Sequence, residues 1–435
     1  MFATSPALPS PAAVAAGTSS ERDRAIDVAR LVSLLVVMFG HCAMLLATIT
    51  AGGVRIGDTL QSAPALQPLT WVLQIMPLFF LAGGAAAAYG LRAETPWGTW
   101  LVGKAQRLCR PVFWYLAVWT VALGAVRVGM GAASAAQLGE QVVSLLWFLG
   151  VYLMVLACVP ALTQLDTAPR LWLGIAALLG AAGSADVSRI ASGSDLFGYP
   201  SFLTVWLIPT LIGIGYARKL IAPRTAVVAA LTALAAEIAL VAFGPYQVSL
   251  VVTGSAGISN VSPPTVVLAL HCVAMSLFFV AAAGRVERWA RHPKVWYPVA
   301  VGNAGAMTLY LWHIPAIAVA AFGLHLADLD AHDPHQPGFW FRIALRACAF
   351  AAVLALLFPL LTRFEQRPLP WWDARLPRTT AARSTVAGLF VCLAGASILL
   401  AAKQGLGTEL GWFAAVGFVG LCASARHAAG AVREL

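Results

Sequence analysis

Three ionisable residues fall within or at the edge of one apolar run: Asp27 and Arg30, then His41 after ten intervening residues. A charged side chain in lipid costs at least about 2.5–3.5 kcal/mol, so such residues default to functional candidates. Eleven helical steps carry the chain about 20° past three full turns and about 16 Å along the axis, so Arg30 and His41 share a face. That distance is roughly half the hydrocarbon thickness of a bilayer, which puts Arg30 near an interface and His41 near the midplane. A histidine there can take a proton from a hydroxyl, because its ordinary pKa of about 6.5 leaves it largely neutral near pH 7. The competing account is a snorkelling arginine beside a helix-packing histidine.

A second cluster is Lys104-Ala-Gln-Arg107-Leu-Cys-Arg110-Pro111. Arg107 and Arg110 are i, i+3 neighbours on one helical face, a geometry suited to gripping phosphate oxygens with planar forks. An ordinary basic membrane anchor would look the same. His313 lies in Tyr310-Leu-Trp-His313-Ile-Pro315, where the proline frees a backbone carbonyl that a structural histidine can bond. Glu237 has no cationic neighbour in its own run, so it either orients a histidine or bonds a neighbouring helix. Asp328-Leu-Asp330-Ala-His332-Asp333-Pro-His335 has metal-ligand residue types without a recognised spacing and reads as a solvated loop. Asn260-Val-Ser-Pro-Pro-Thr265 is either the lining of an acceptor entrance or a proline-rich helix start.

The elements that must position these groups follow from composition. The 435 residues are 60% apolar and only 11% charged, with mean hydropathy +0.81. Soluble domains carry roughly 25% charged residues, so soluble, disordered and disulfide-framed classes are excluded and an all-α polytopic membrane protein is implied. The net charge of +10 is spread through short hydrophilic breaks, where it orients the chain rather than binding nucleic acid. The seven cysteines show no CxxC pair and read as small buried hydrophobes. Four lysines against 24 arginines suggest a GC-rich, actinobacterial origin.

Apolar runs of spanning length occur near 26–48, 68–90, 108–126, 142–163, 170–185, 202–217, 225–243, 264–283, 298–323 and 341–362, with two more near 385–402 and 410–425. The fifth and sixth are short, and the ninth is long enough to be tilted or broken. With the N-terminus inside, 22 basic residues fall on the cytoplasmic side and 6 outside, an alternation that a wrong count would scramble. The expectation is about twelve helices in an inner (plasma) membrane with both termini cytoplasmic. No internal repeat is visible, which weighs against an inverted-repeat transporter. Residues 1–21 lack the basic start and compact apolar core of a secretory signal and read as a disordered cytoplasmic tail. Ser20 and Asp23 resemble a capping box opening the first helix.

Several segments together resemble membrane acyltransferase family 3. Arg30 and His41 look like its first-helix motif and Arg107-x-x-Arg110 like its arginine pair. Met76-Pro-Leu-Phe-Phe-Leu-Ala-Gly-Gly84 is similar to its Phe-Phe-x-x-Ser-Gly segment, Trp147-Phe-Leu149 to its Trp-Phe-Leu run, and Tyr310-Leu-x-His313 to its late Tyr-Leu-x-His. The resemblance covers roughly residues 24–365. Two hydroxyls of the family pattern are missing: Gly83 and Ala306 stand where it has serine, and Thr308 is a substitute candidate. The resemblance implies a ten-helix domain, here 22–368, that moves an acyl group, often acetyl, from cytoplasmic acyl-coenzyme A to an acceptor hydroxyl. It says nothing of 369–435, a cytoplasmic loop and two further helices.

Thioester-to-alcohol transfer requires a base, oxyanion stabilisation and orientation of both partners. His41 is the expected base and His313 the second catalytic candidate. Arg30, Arg107 and Arg110 are the expected clamp for the phosphates of acyl-coenzyme A, acetyl-coenzyme A foremost. Asp27, Glu237 and Tyr310 are supporting candidates, and no metal is expected. The acceptor is a carbohydrate, a glycolipid of the cell envelope or a secreted metabolite, and the bilayer is the other partner. The rival readings are a small-molecule or lipid exporter and a non-catalytic membrane scaffold.

Overall fold

The computed structural model describes residues 10–50, 53–92, 94–253, 257–331, 333–377 and 379–430, without the side chains of 47–50 and 53–55. Among them are eleven helices or helical segments long and apolar enough to cross a membrane: Arg24–Met44, Pro64–Gly90, Trp97–Met130, Ala132–Leu162, Ala168–Ser192, Asp195–Ala217, Pro223–Phe243, Val266–Ala290, Ala306–His325, Phe339–Glu365 and Ala381–Gln404. These are spans one to eleven below. A last helix, Glu409–Ala429, pairs extensively with span eleven. Its Glu409, Arg426 and His427 dilute its apolar character, so it falls outside the spanning set. The protein is an all-α polytopic membrane protein, as its composition requires.

Boundaries move where polar residues lie along a helix. Span three runs 34 residues and takes in Lys104, Arg107 and Arg110, because about its first four turns carry polar residues among the apolar ones. Spans five and six, read as short, reach 25 and 23 residues. The long ninth run is broken at Gly305 into Pro293–Ala304 and Ala306–His325.

Span one stops at Met44, where the chain turns into strand β1, Leu45–Thr50, paired antiparallel with β2, Gly53–Asp58. The run read as helical to 48 is β-branched and leucine-rich at its end, which suits a strand as well as a helix. The N-cap of span one is Asp23 itself, whose side chain accepts from the Ile26 N–H. This replaces the expected Ser20 capping box.

The expected disordered tail is also corrected over its described part. Pro11–Ala16 forms a short helix packed on Pro293–Ala304, and Trp296 Nε1 donates to Thr18 Oγ1 at 2.8 Å. Val14 and Ala15 supply the apolar contact. Residues 1–9 lie outside the described residues, as do His332, Arg378 and Arg433 and the side chain of Arg55.

Candidate active site

His41 sits in the last turn of span one. Its Nδ1 lies 2.9 Å from Nε2 of His313, and the two rings are parallel within 4°. His313 is fully buried. Its Nδ1 lies 2.6 Å from the Tyr310 carbonyl oxygen, which can only accept, so Nδ1 of His313 carries the proton. Nε2 of His313 is therefore the acceptor of the next bond, and His41 Nδ1 the donor. The neutral pair thus leaves the lone pair of His41 on Nε2. Tyr310 anchors this chain from the far side: its hydroxyl donates to the Leu145 carbonyl at 2.6 Å, and its ring packs edge-on against Phe148.

The end of span one is fixed by side chains from elsewhere. Arg346 of span ten is buried and donates to the Cys42 carbonyl at 2.5 Å. Thr59 Oγ1 donates to the carbonyls of Ala43 and Met44 at 2.9 and 3.0 Å. These bonds satisfy carbonyls that a helix C-terminus leaves without intrahelical partners.

His41 lines a cavity of about 630 Å³. Its polar lining includes Asp58, Gln61, Gln141, Ser144, Thr253, Ser262 and Lys403, and its apolar lining includes Trp147 and Phe202. The walls come from the loops after spans one and seven, from the junction at 144–147 inside span four, and from spans six and eleven. Asp58 accepts from the N–H groups of Leu60 and Gln61 at 2.6 and 3.2 Å. Burial nevertheless pushes its carboxyl above the usual carboxylate range. Val261 and Ser262 line the wall, while buried Asn260 ties the loop together through the carbonyls of Gln247 and Ser249 at 2.6 and 2.9 Å.

The basic residues lie at the opposite end of the bundle. Arg30 pairs with Asp27 at 3.7 Å, and buried Asp27 also takes Arg22 at 2.6 Å. The Asp27 carbonyl is held by Asn303 Nδ2 at 2.8 Å, so Asp27 orients the start of span one. Lys104 is within electrostatic reach of both Arg107 and Arg30, and Arg107 is exposed. The two arginines of the expected pair differ: Arg110 turns to Asp373 at 3.7 Å. None of Arg30, Arg107 and Arg110 lines the cavity at His41.

Of the two missing hydroxyls, one has a structural counterpart. A Cβ on Gly83 would lie 2.5 Å from the Tyr152 hydroxyl oxygen, so Tyr152 occupies the space a serine there would need. Thr308 is engaged elsewhere, donating to Glu365 Oε2 at 2.5 Å. Trp312 Nε1 donates to Glu365 Oε1 at 2.7 Å, and this buried carboxylate, beyond reach of a motif search, links spans nine and ten. Glu237 does not approach the His41–His313 pair; its Oε1 lies 3.2 Å from Nδ1 of buried His271 in span eight. His271 Nε2 donates to the Gln74 carbonyl at 3.1 Å. In the segment 328–335, His325 Nδ1 meets Asp330 Oδ2 at 2.6 Å. Among the described residues, no group of three or more His, Cys, Asp or Glu is placed to hold a metal.

Fold and site together define a polytopic membrane protein with a paired-histidine centre open to one face. The chain belongs to acyltransferase family 3: the family's sequence model, described as an acyltransferase domain, matches residues 23–363. It is therefore a membrane acyltransferase. Neither the curated proteins nor the solved structures include a match to the chain.

Proposed function

We propose that this acyltransferase moves a short acyl group, acetyl foremost, from cytoplasmic acyl-coenzyme A to a hydroxyl on the other side of a plasma membrane. The observation that carries this reading is the bond chain from the Tyr310 carbonyl through His313 to His41, a residue that lines a cavity. It parallels the logic of a serine hydrolase triad, in which a third group fixes the tautomer of the base.

In this mechanism the acceptor hydroxyl enters the cavity and gives its proton to Nε2 of His41 as its oxygen attacks the thioester carbonyl. His313 keeps its bond to His41 Nδ1–H throughout and helps hold the imidazolium that forms. Collapse of the tetrahedral intermediate expels the coenzyme A thiolate, which His41 then protonates, leaving the ester on the acceptor. The donor's phosphates seat against Arg30, Lys104 and Arg107, and its slim pantetheine arm covers the remaining distance of about 16 Å to His41. Neither carrier needs to cross the bilayer.

The acceptor is proposed to be a carbohydrate, glycolipid or secreted metabolite, because a cavity mixing amides, hydroxyls and aromatic rings suits a hydroxylated ring. The deciding experiment follows label from acetyl-coenzyme A into an envelope extract, using purified protein and its His41→Ala variant. Label transfer that needs His41 supports the reading; transfer that survives its loss rejects it. Mass spectrometry of envelope lipids and glycans from intact and gene-deleted cells then identifies the acceptor by a lost acyl increment.

A further inference from the structure

Span eleven lies beyond residues 23–363, which match the family, yet it is built into the same core. Gly150 of span four and Gly395 of span eleven meet backbone to backbone: a Cβ on Gly150 would lie 2.5 Å from the Gly395 oxygen, and one on Gly395 2.9 Å from the Gly150 oxygen. At the other end, Ser384 Oγ accepts from the Thr99 N–H of span three at 3.0 Å. This close fit brings the last turn of span eleven to the His41 cavity, where Ala402 and Lys403 line the wall.

Lys403 Nζ lies 2.5 Å from Ser262 Oγ and 4.7 Å from the centre of the Phe202 ring. An ammonium group has three N–H donors, so donors remain after Ser262 is served. Among the described residues of the lining, Lys403 is the single lysine or arginine and Asp58 the single carboxylate. Oδ1 of Asp58 is occupied by two backbone N–H groups. An ammonium with spare donors, held at Ser262 beside the Phe202 ring in a cavity that also presents neutral amides, is a site for an anion carried on a polar, ring-containing molecule.

Resting on the reading of this cavity as the acceptor site, we propose that Lys403 recognises an anionic group, phosphate or carboxylate, on the acceptor that is acylated. Span eleven thereby supplies an element of acceptor specificity from outside the matched domain. The proposal requires no covalent chemistry at Lys403.

The test uses the full chain in phosphatidylcholine nanodiscs, titrated with glucose 6-phosphate, glucuronate and glucose. Wild-type protein is expected to bind the two anions about ten- to a hundredfold more tightly than glucose, the worth of a charge-assisted hydrogen bond. Lys403→Gln should reduce both anions to the glucose level, while Lys403→Arg keeps the preference. Unchanged acetyl-coenzyme A affinity in Lys403→Gln shows that the variant is folded. Anions that bind no better than glucose, or a preference that survives Lys403→Gln, overturn the proposal. Repeating the titration with phosphatidylglycerol in the nanodiscs separates the sources: competition assigns the site to a lipid headgroup, and its absence to a soluble acceptor. Failure of the broader reading appears differently, as acetyl transfer that survives His41→Ala while the anion preference stands.

Discussion

Nδ1 of His41 and Nε2 of His313 are 2.9 Å apart although 272 positions separate them in the chain. The Tyr310 carbonyl beyond His313 gives the pair a direction: protons point from His313 toward Tyr310 and from His41 toward His313. A base with its lone pair committed to one nitrogen, on a residue that lines a cavity, is arranged before any substrate arrives.

Removing the base should remove most of the rate. General-base catalysis contributes about 10²–10⁴-fold, so His41→Ala is expected to lower kcat by that order. Its affinity for acetyl-coenzyme A should stay near wild type. Steady-state kinetics with equilibrium binding on the same preparation checks both.

His313 acts through His41, so its variants should differ according to what they can accept. His313→Ala leaves the buried Nδ1–H of His41 without a partner and should reduce kcat about tenfold or more. His313→Gln offers a carbonyl oxygen in its place and should recover part of that loss. A role confined to packing predicts equal activity and an unaltered pH–rate profile for the two variants.

The arginine pair should prove unequal. Arg107 is exposed and near Lys104, whereas Arg110 is turned toward Asp373. Arg107→Ala should weaken acetyl-coenzyme A binding about tenfold or more, the worth of one charge-assisted bond. Arg110→Ala should cost less in binding. Isothermal titration with acetyl-coenzyme A and with its dephosphorylated fragment pantetheine resolves the two, since pantetheine should ignore both substitutions.

Glu365 accepts from Thr308 and Trp312 inside the bundle. Glu365→Leu strands two buried donors, each worth about 1–3 kcal/mol when unsatisfied. The thermal unfolding midpoint in detergent should fall clearly, whereas Thr308→Val, which removes one donor, should lower it less.

The packing of span eleven gives a test of its own. Gly150→Leu drives a side chain into the Gly395 backbone and should lower stability. It should also displace Lys403 from the cavity wall. Crosslinking between cysteines introduced on spans four and eleven reports the separation directly.

Much of the fold could be read from the residues because the bilayer imposes length and polarity on every span. The break at Gly305 was signalled by an overlong run. The β1–β2 hairpin was not legible, because a short run such as Leu45-Leu-Ala-Thr48 fits helix or strand equally. At the site, the shared face of Arg30 and His41 and the Tyr310–His313 segment could be read locally. That His313 meets His41 could not, since it depends on how spans one and nine pack. Glu237 shows the same limit: its neighbour His271 lies on the next span, 34 positions further along the sequence. Lys403 gave no signal as a lone lysine at a helix end; only the close packing of glycines 150 and 395 explains its position.

The division of labour at the end of span one has an evolutionary corollary. The imidazole is held by His313, and the backbone of the turn that carries it by Arg346 and Thr59, while much of the surrounding chamber is furnished by other segments. Those segments can exchange residues, or be grafted from a homologue, without retuning the proton-transfer step. A lineage could therefore diversify what it decorates while inheriting one unchanged chemical engine.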